Sequence, residues 1–156
     1  MRLHILEVCP YGDPVIIKRG VNDMEWLSIR KPVSLQEIEQ VEKELHVTLP
    51  EDYKTAIGPI NGGALRNAYV EHPQLGRIAY SRNVSLSKEA PANIYFLFEL
   101  LKEQKFNLFP FAGVGNGDYF CFDLKKQTVV LYEHETDKII EVCKTFNDLL
   151  DMIREL

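Results

Sequence analysis

Between residues 107 and 132 the chain carries three apolar, β-rich runs separated by turns, and that spacing leaves few folds open. Leu108, Phe109, Pro110, Phe111 and Ala112 make the first run. Residues 119–124, Tyr-Phe-Cys-Phe-Asp-Leu, make the second, and residues 129–132, Val-Val-Leu-Tyr, the third. Gly113, Gly115, Gly117 and Asp118 separate the first two, and the polar residues 125–128 separate the last two. Aromatic and β-branched side chains fit a pleated, half-buried surface. Such runs, bounded by turn residues, read as antiparallel strands joined by short connections. The second run therefore predicts a central strand that forms a hairpin with the third. Residues 138–143 predict one more strand, with residues 133–137 as a polar connecting loop.

Helices flank this block. Ser34-Leu35-Gln36-Glu37 has the form of a capping box, in which Ser34 accepts from the Glu37 amide and Glu37 reaches back to the Ser34 amide. Leu35, Ile38, Val41 and Leu45 follow at spacings of three and four, which predicts an amphipathic helix over 35–45. Pro50 is expected to open a second helix at its first position, with Glu51 and Asp52 complementing its N-terminus. Tyr53 and Ile57 lie on its inner face, and Gly58-Pro59 ends it. Asn61-Gly62-Gly63 supplies residues that tolerate positive φ. Residues 68–70 and 77–80 read as short strands, residues 81–88 as a polar loop, and Pro91 as the start of a helix with Ile94, Leu97, Phe98 and Leu101 inward. Thr145 caps a final helix from which Leu149, Leu150 and Ile153 face the core. The expected class is α+β: one domain over residues 1–156, with a central, mostly antiparallel sheet flanked by helices.

Composition narrows the function. The chain has 156 residues and a net charge of −5, with no cluster of basic residues, which argues against direct nucleic-acid binding. Cys9, Cys121 and Cys143 are scattered and form no CxxC, as expected in a reducing compartment. The N-terminal residues do not read as a signal peptide. No apolar run is long enough for a membrane span, so a cytoplasmic location is expected.

Catalytic templates fail in turn. Gly113, Gly115 and Gly117 lack the Lys and hydroxyl of a P-loop, and Asp118 would repel phosphate. His4, His46, His72 and His134 share no metal-ligand spacing, so no metal or cofactor is expected. Cys121 lies between Phe120 and Phe122, where burial raises a thiol pKa and leaves it inert. Asp118 and Asp123 are an odd number of residues apart on one strand and point to opposite faces. The expectation is a protein that is not an enzyme.

Two blocks together carry a resemblance. Residues 34–54 close on Asn61-Gly62-Gly63, and residues 108–124 are followed by residues 129–135, Val-Val-Leu-Tyr-Glu-His-Glu. Their order resembles the SUKH superfamily, which includes the Smi/Knr-type fungal cell-wall-assembly regulators. The shared pattern is Leu-Pro-x-Asp-Tyr at 49–53, the Asn-Gly-Gly, a Gly-Asp before an aromatic strand, and a later strand ending near His-Glu. The likeness is strongest over 32–63 and 107–153. Gly58-Pro59-Ile60 stands where the family continues its helix, and residues 64–92 and the first 30, Trp26 among them, lie outside it. The resemblance implies a binding role. Many bacterial members look like immunity proteins that neutralise a cognate toxin, often a nuclease, and an acidic chain suits a basic partner. On this reading Asp118, Tyr119, Glu133 and His134 stand near the binding face, and Asn61 and Gly62 shape it. Two alternatives are a regulatory scaffold without a toxin partner and an unrecognised hydrolase using Cys121 or His134.

Overall fold

The computed structural model describes residues 4–7, 15–19, 22–29 and 31–156. Cys9, one of the three cysteines of the sequence, lies outside them. The chain opens with β1 (His4–Glu7), β2 (Val15–Arg19) and β3 (Asn22–Trp26), an antiparallel sheet in that order. Helices α1 (Leu35–Leu45) and α2 (Glu51–Ile57) follow, with a 3-10 turn at Gly58–Ile60. Then come β4 (Ala68–His72), β5 (Gly76–Ala79), β6 (Arg82–Asn83) and α3 (Ile94–Glu103). The chain continues with β7 (Leu108–Gly113), β8 (Tyr119–Asp123), β9 (Thr128–Glu133) and β10 (Lys138–Cys143), and ends with α4 (Phe146–Met152) and β11 (Ile153–Glu155). The central sheet has five strands in the order β10-β9-β8-β7-β6, and a third sheet runs β11-β4-β5. Every pairing among the described residues is antiparallel, so the α+β class expected from the sequence is the observed one.

Local chemistry sets the helix ends as the spacing predicts. Ser34 Oγ accepts from the Glu37 amide at 3.1 Å, and Glu37 accepts from the Ser34 amide at 2.9 Å. Such a box is worth about 1 kcal/mol. His46 ends α1 in the left-handed conformation, φ 57°. Glu42 then joins the two helices: it accepts from the Leu49 amide at 2.8 Å and pairs with Lys54 at 2.9 Å.

Alternation along β8 divides the interior. Phe120 and Phe122 point to one face of the central sheet, with Phe109 and Phe111 of β7 beside them. Tyr53 of α2 enters this layer and meets Phe109, Phe111, Phe122 and Phe146 at centroid distances of 5.1–6.2 Å. Most of these contacts are edge-on, the arrangement ring quadrupoles favour. The Tyr53 hydroxyl is buried there without a hydrogen-bond partner. Asp52, beside it, accepts from the Asn147 amide in the first turn of α4 at 2.9 Å. The Leu-Pro-x-Asp-Tyr block thus joins the second helix to the last one. The opposite face of the sheet carries a smaller cluster of Leu101, Leu108, Cys121, Val130 and Tyr132.

Several expectations are corrected. Pro50 is the N-cap of α2, one position before the helix. The α-helix does end at Ile57, just before Gly58-Pro59 as expected, and a 3-10 turn follows to Ile60. Gly58 is needed for packing: a Cβ there would lie 2.7 Å from the Val33 carbonyl oxygen. Residues 81–88 are not a solvated loop. Arg82 and Asn83 form β6 against β7, and Val84, Ser85 and Leu86 are buried. The third helix starts after Asn93, whose side chain caps the Phe96 amide, rather than at Pro91. Ile153 is not in the final helix but begins β11, paired with Val70. The segment before residue 30 contributes to the core, with Trp26 fully buried and edge-on to Tyr80 at 5.8 Å.

Candidate functional site

The turn between β7 and β8 builds the site. Gly115 and Gly117 adopt φ of 104° and 98°, which glycine reaches without steric cost. Asn116 accepts from the Asp118 amide at 2.9 Å and fixes the end of the turn. Asp118 Oδ1 then receives two bonds from the end of β9: the His134 amide at 3.0 Å and His134 Nδ1 at 2.6 Å. Partial burial pushes the Asp118 carboxyl up. The hydrogen bonds from the His134 side chain and amide and from Asn116 outweigh this and hold it below the usual carboxylate range. Asp118 is therefore ionised at neutral pH, and Nδ1 of His134 must be the donor. That leaves Nε2 as the nitrogen open to a partner. The imidazole packs on the bare Cα of Gly117, where a Cβ would lie 2.9 Å from Cε1.

The residues singled out from the sequence divide among neighbouring hollows. Gly62, Asp118 and Tyr119 line one cleft of about 430 Å³, together with Arg82, Ser85 and Gly117. Arg82 holds the Gly62 corner by donating to the Gly62 carbonyl and, at 3.1 Å, to that of Ser28. Tyr119 also lines a second, adjoining groove with His134. Glu133 stands apart, in a shallow hollow with Arg77 and Ile78 that Asp118 shares from its other side. Asn61 is fully buried. It donates to the Lys31 carbonyl at 2.7 Å and accepts from the Leu86 amide at 2.8 Å, so it supports the corner from beneath.

Some residues of this region had no signal in the sequence reading. Phe96 and Leu100 line the second groove and are 61% and 43% exposed. Apolar residues on a helix read as core, and in α3 Ile94, Leu97, Phe98 and Leu101 are so. Tyr132, opposite Tyr119 in the β8–β9 ladder, forms the floor. Its hydroxyl lies 2.7 Å from Asp137 and 2.9 Å from the Gln104 side chain, which ties α3 to the β9–β10 turn. Burial and the Asp137 hydrogen bond push that hydroxyl up to about 12.

Nucleophile chemistry finds little here. Cys121 is fully buried, and burial pushes its thiol well up. Cys143 is pushed up to about 12, again chiefly by burial. Among the described residues no three His, Cys, Asp or Glu side chains form a metal-binding group. No helix among them is long and apolar enough to cross a membrane.

A helix pair closed by Leu-Pro-x-Asp-Tyr, an Asn-Gly-Gly corner and a Gly-Asp turn over an antiparallel sheet define the class. The chain belongs to the SMI1-KNR4 cell-wall family (SUKH_6), whose model matches residues 35–150. No curated protein and no solved structure matches it.

Proposed function

We propose that this chain is a non-catalytic protein-binding domain of the immunity type, which neutralises a cognate protein toxin by covering it. The observation that carries this reading is a pair of adjoining hollows that share Gly117 and Tyr119, one lined by Gly62 and Asp118 and the other by His134. There Asp118 fixes the His134 ring, and Gly117 leaves it accessible. Rigid polar and aromatic groups beside a cleft suit recognition, because little side-chain freedom is lost on docking. The buried Cys121 thiol supports binding over catalysis. Family membership supports the same reading, and the net charge of −5 suits a basic partner such as a nuclease.

Co-expression with a candidate protein toxin tests it. The expected result is rescued growth and co-purification of the pair, both weakened by Asp118→Ala with His134→Ala. If growth is not rescued and the two proteins do not co-purify, the immunity reading is wrong. A pull-down dominated by housekeeping proteins would then favour a regulatory scaffold.

A further inference from the structure

The second groove has a chemistry that the polar cleft lacks. Successive α-helical residues are 100° apart around the axis. Phe96, Leu100 and Gln104 therefore follow one another along a single stripe of α3. Leu97 and Leu101 turn inward beside them, and both are buried. The stripe borders a groove of about 480 Å³ whose other lining includes Pro110, Tyr119, Tyr132 and His134. Phe96 is the most exposed aromatic side chain among the described residues that the core does not claim. A large exposed apolar patch in a folded domain marks an interaction site more often than a single scattered residue does.

Carboxylates stand on the two elements that flank this groove. Glu99 and Glu103 fall next to Phe96 on the outer edge of the helix by the same angular rule, and both are exposed. On the far side the β9–β10 turn carries His134, Glu135 and Asp137, also exposed. The nearby cations are Lys102, which falls across the helix from Leu100, Lys105, just past the end of α3, and Lys138, at the start of β10. A largely apolar groove with carboxylates on both flanking elements fits one occupant best.

We infer that the α3 groove seats a cationic amphipathic segment of a partner protein, with a large apolar side chain against Phe96, Leu100 and Tyr132 and Lys or Arg residues facing Glu99, Glu103 and the 133–137 turn. This rests on the protein-binding reading above and names the part of the face that selects the partner. A second copy of this chain is a poor occupant. With a net charge of −5 it would bring like charge to an acidic rim. The Tyr132 hydroxyl, held between Gln104 and Asp137, keeps both walls in place before anything binds.

The test uses the full chain and two short labelled helical peptides, one of leucine and lysine with a central phenylalanine, the other with glutamate for lysine. Fluorescence anisotropy at low salt should show saturable binding of the lysine peptide and none of the glutamate peptide. Phe96→Ala should weaken binding by roughly tenfold, the loss expected for an aromatic anchor. Glu99→Lys with Glu103→Lys should weaken it at least as much, and both variants should melt with the wild type because the substituted side chains are exposed. No saturable binding, equal binding of the two peptides, or binding unchanged in both variants would overturn the inference. So would sedimentation showing a dimer that Phe96→Ala dissociates, since the groove would then hold a second copy. The two readings separate cleanly. Rescue from a toxin that persists in Phe96→Ala leaves the immunity function and removes the groove. Peptide binding without rescue does the reverse.

Discussion

Phe120 and Phe122 point from β8 into a closed layer of rings, while Tyr119 and Cys121, their neighbours in the chain, meet the smaller cluster that α3 joins through Leu101. On the first side Tyr53, Phe109, Phe111 and Phe146 leave no ring exposed. On the second, Leu101, Leu108, Cys121 and Val130 close only part of the surface, and Phe96 and Leu100 remain in the open. One face is filled by the protein itself. The other is half-filled, with its edges fixed by hydrogen bonds rather than by packing. The Asp118–His134 pair and the Tyr132–Asp137 contact hold that second face in shape without covering it.

This contrast can be broken at graded cost. Phe122→Ala should cost about 3–5 kcal/mol, because it empties a site that four other rings enclose; urea unfolding gives the value, and a loss below 1 kcal/mol would mean that the layer is not closed. Gly117→Ala should cost about 1–3 kcal/mol. The new methyl forces φ of 98° on alanine and displaces the His134 ring, so the loss should come with a shifted His134 resonance by NMR. Tyr53→Phe should raise stability by about 1 kcal/mol, since it removes a buried hydroxyl that has no partner. A drop instead would reveal a polar contact for that group.

The smallest effect is on pH. The Asp118 carboxyl is lower in the folded state than its ordinary value of about 3.9. Its contribution is therefore present above that pH and is lost as pH falls through the lower folded value. Below roughly pH 4, Asp118→Asn should flatten the fall in stability by less than about 1 kcal/mol, as expected for a partly exposed pair. Equal slopes for the two proteins would show that the pair does not hold the turn.

Local signals were legible in the sequence, and long-range ones were not. The capping box at Ser34, the helix over 35–45 and the β8–β9 hairpin depend on residues a few positions apart, and all three are present. Residues 81–88 look solvated by composition. Residues 83–86 are buried there because Asn61 accepts from the Leu86 amide and reaches Ser85, contacts of 24–25 residues' separation that no local pattern encodes. Ile153 continues a helical period yet joins a strand, because Val70 is there to pair with it. The Gly-Asp turn and His134 do meet, although their 16-residue separation alone does not bring them together. Phe96 and Leu100 stayed hidden for the opposite reason: apolar residues on a helix are ordinarily explained by the core.

The bond from Asp52 to the Asn147 amide spans 95 residues, and β11 closes against β4 across a similar stretch of chain. The consequence concerns time rather than stability. Contacts so far apart require the entropy of closing a long loop before they are rewarded, and chains rich in them fold slowly. During synthesis Tyr53 emerges long before Phe146, so the ring layer stays open at one corner until the final helix leaves the ribosome. Helix α4 is therefore the latch of the ring layer, and a nascent chain halted short of residue 146 holds its aromatic interior exposed to chaperones.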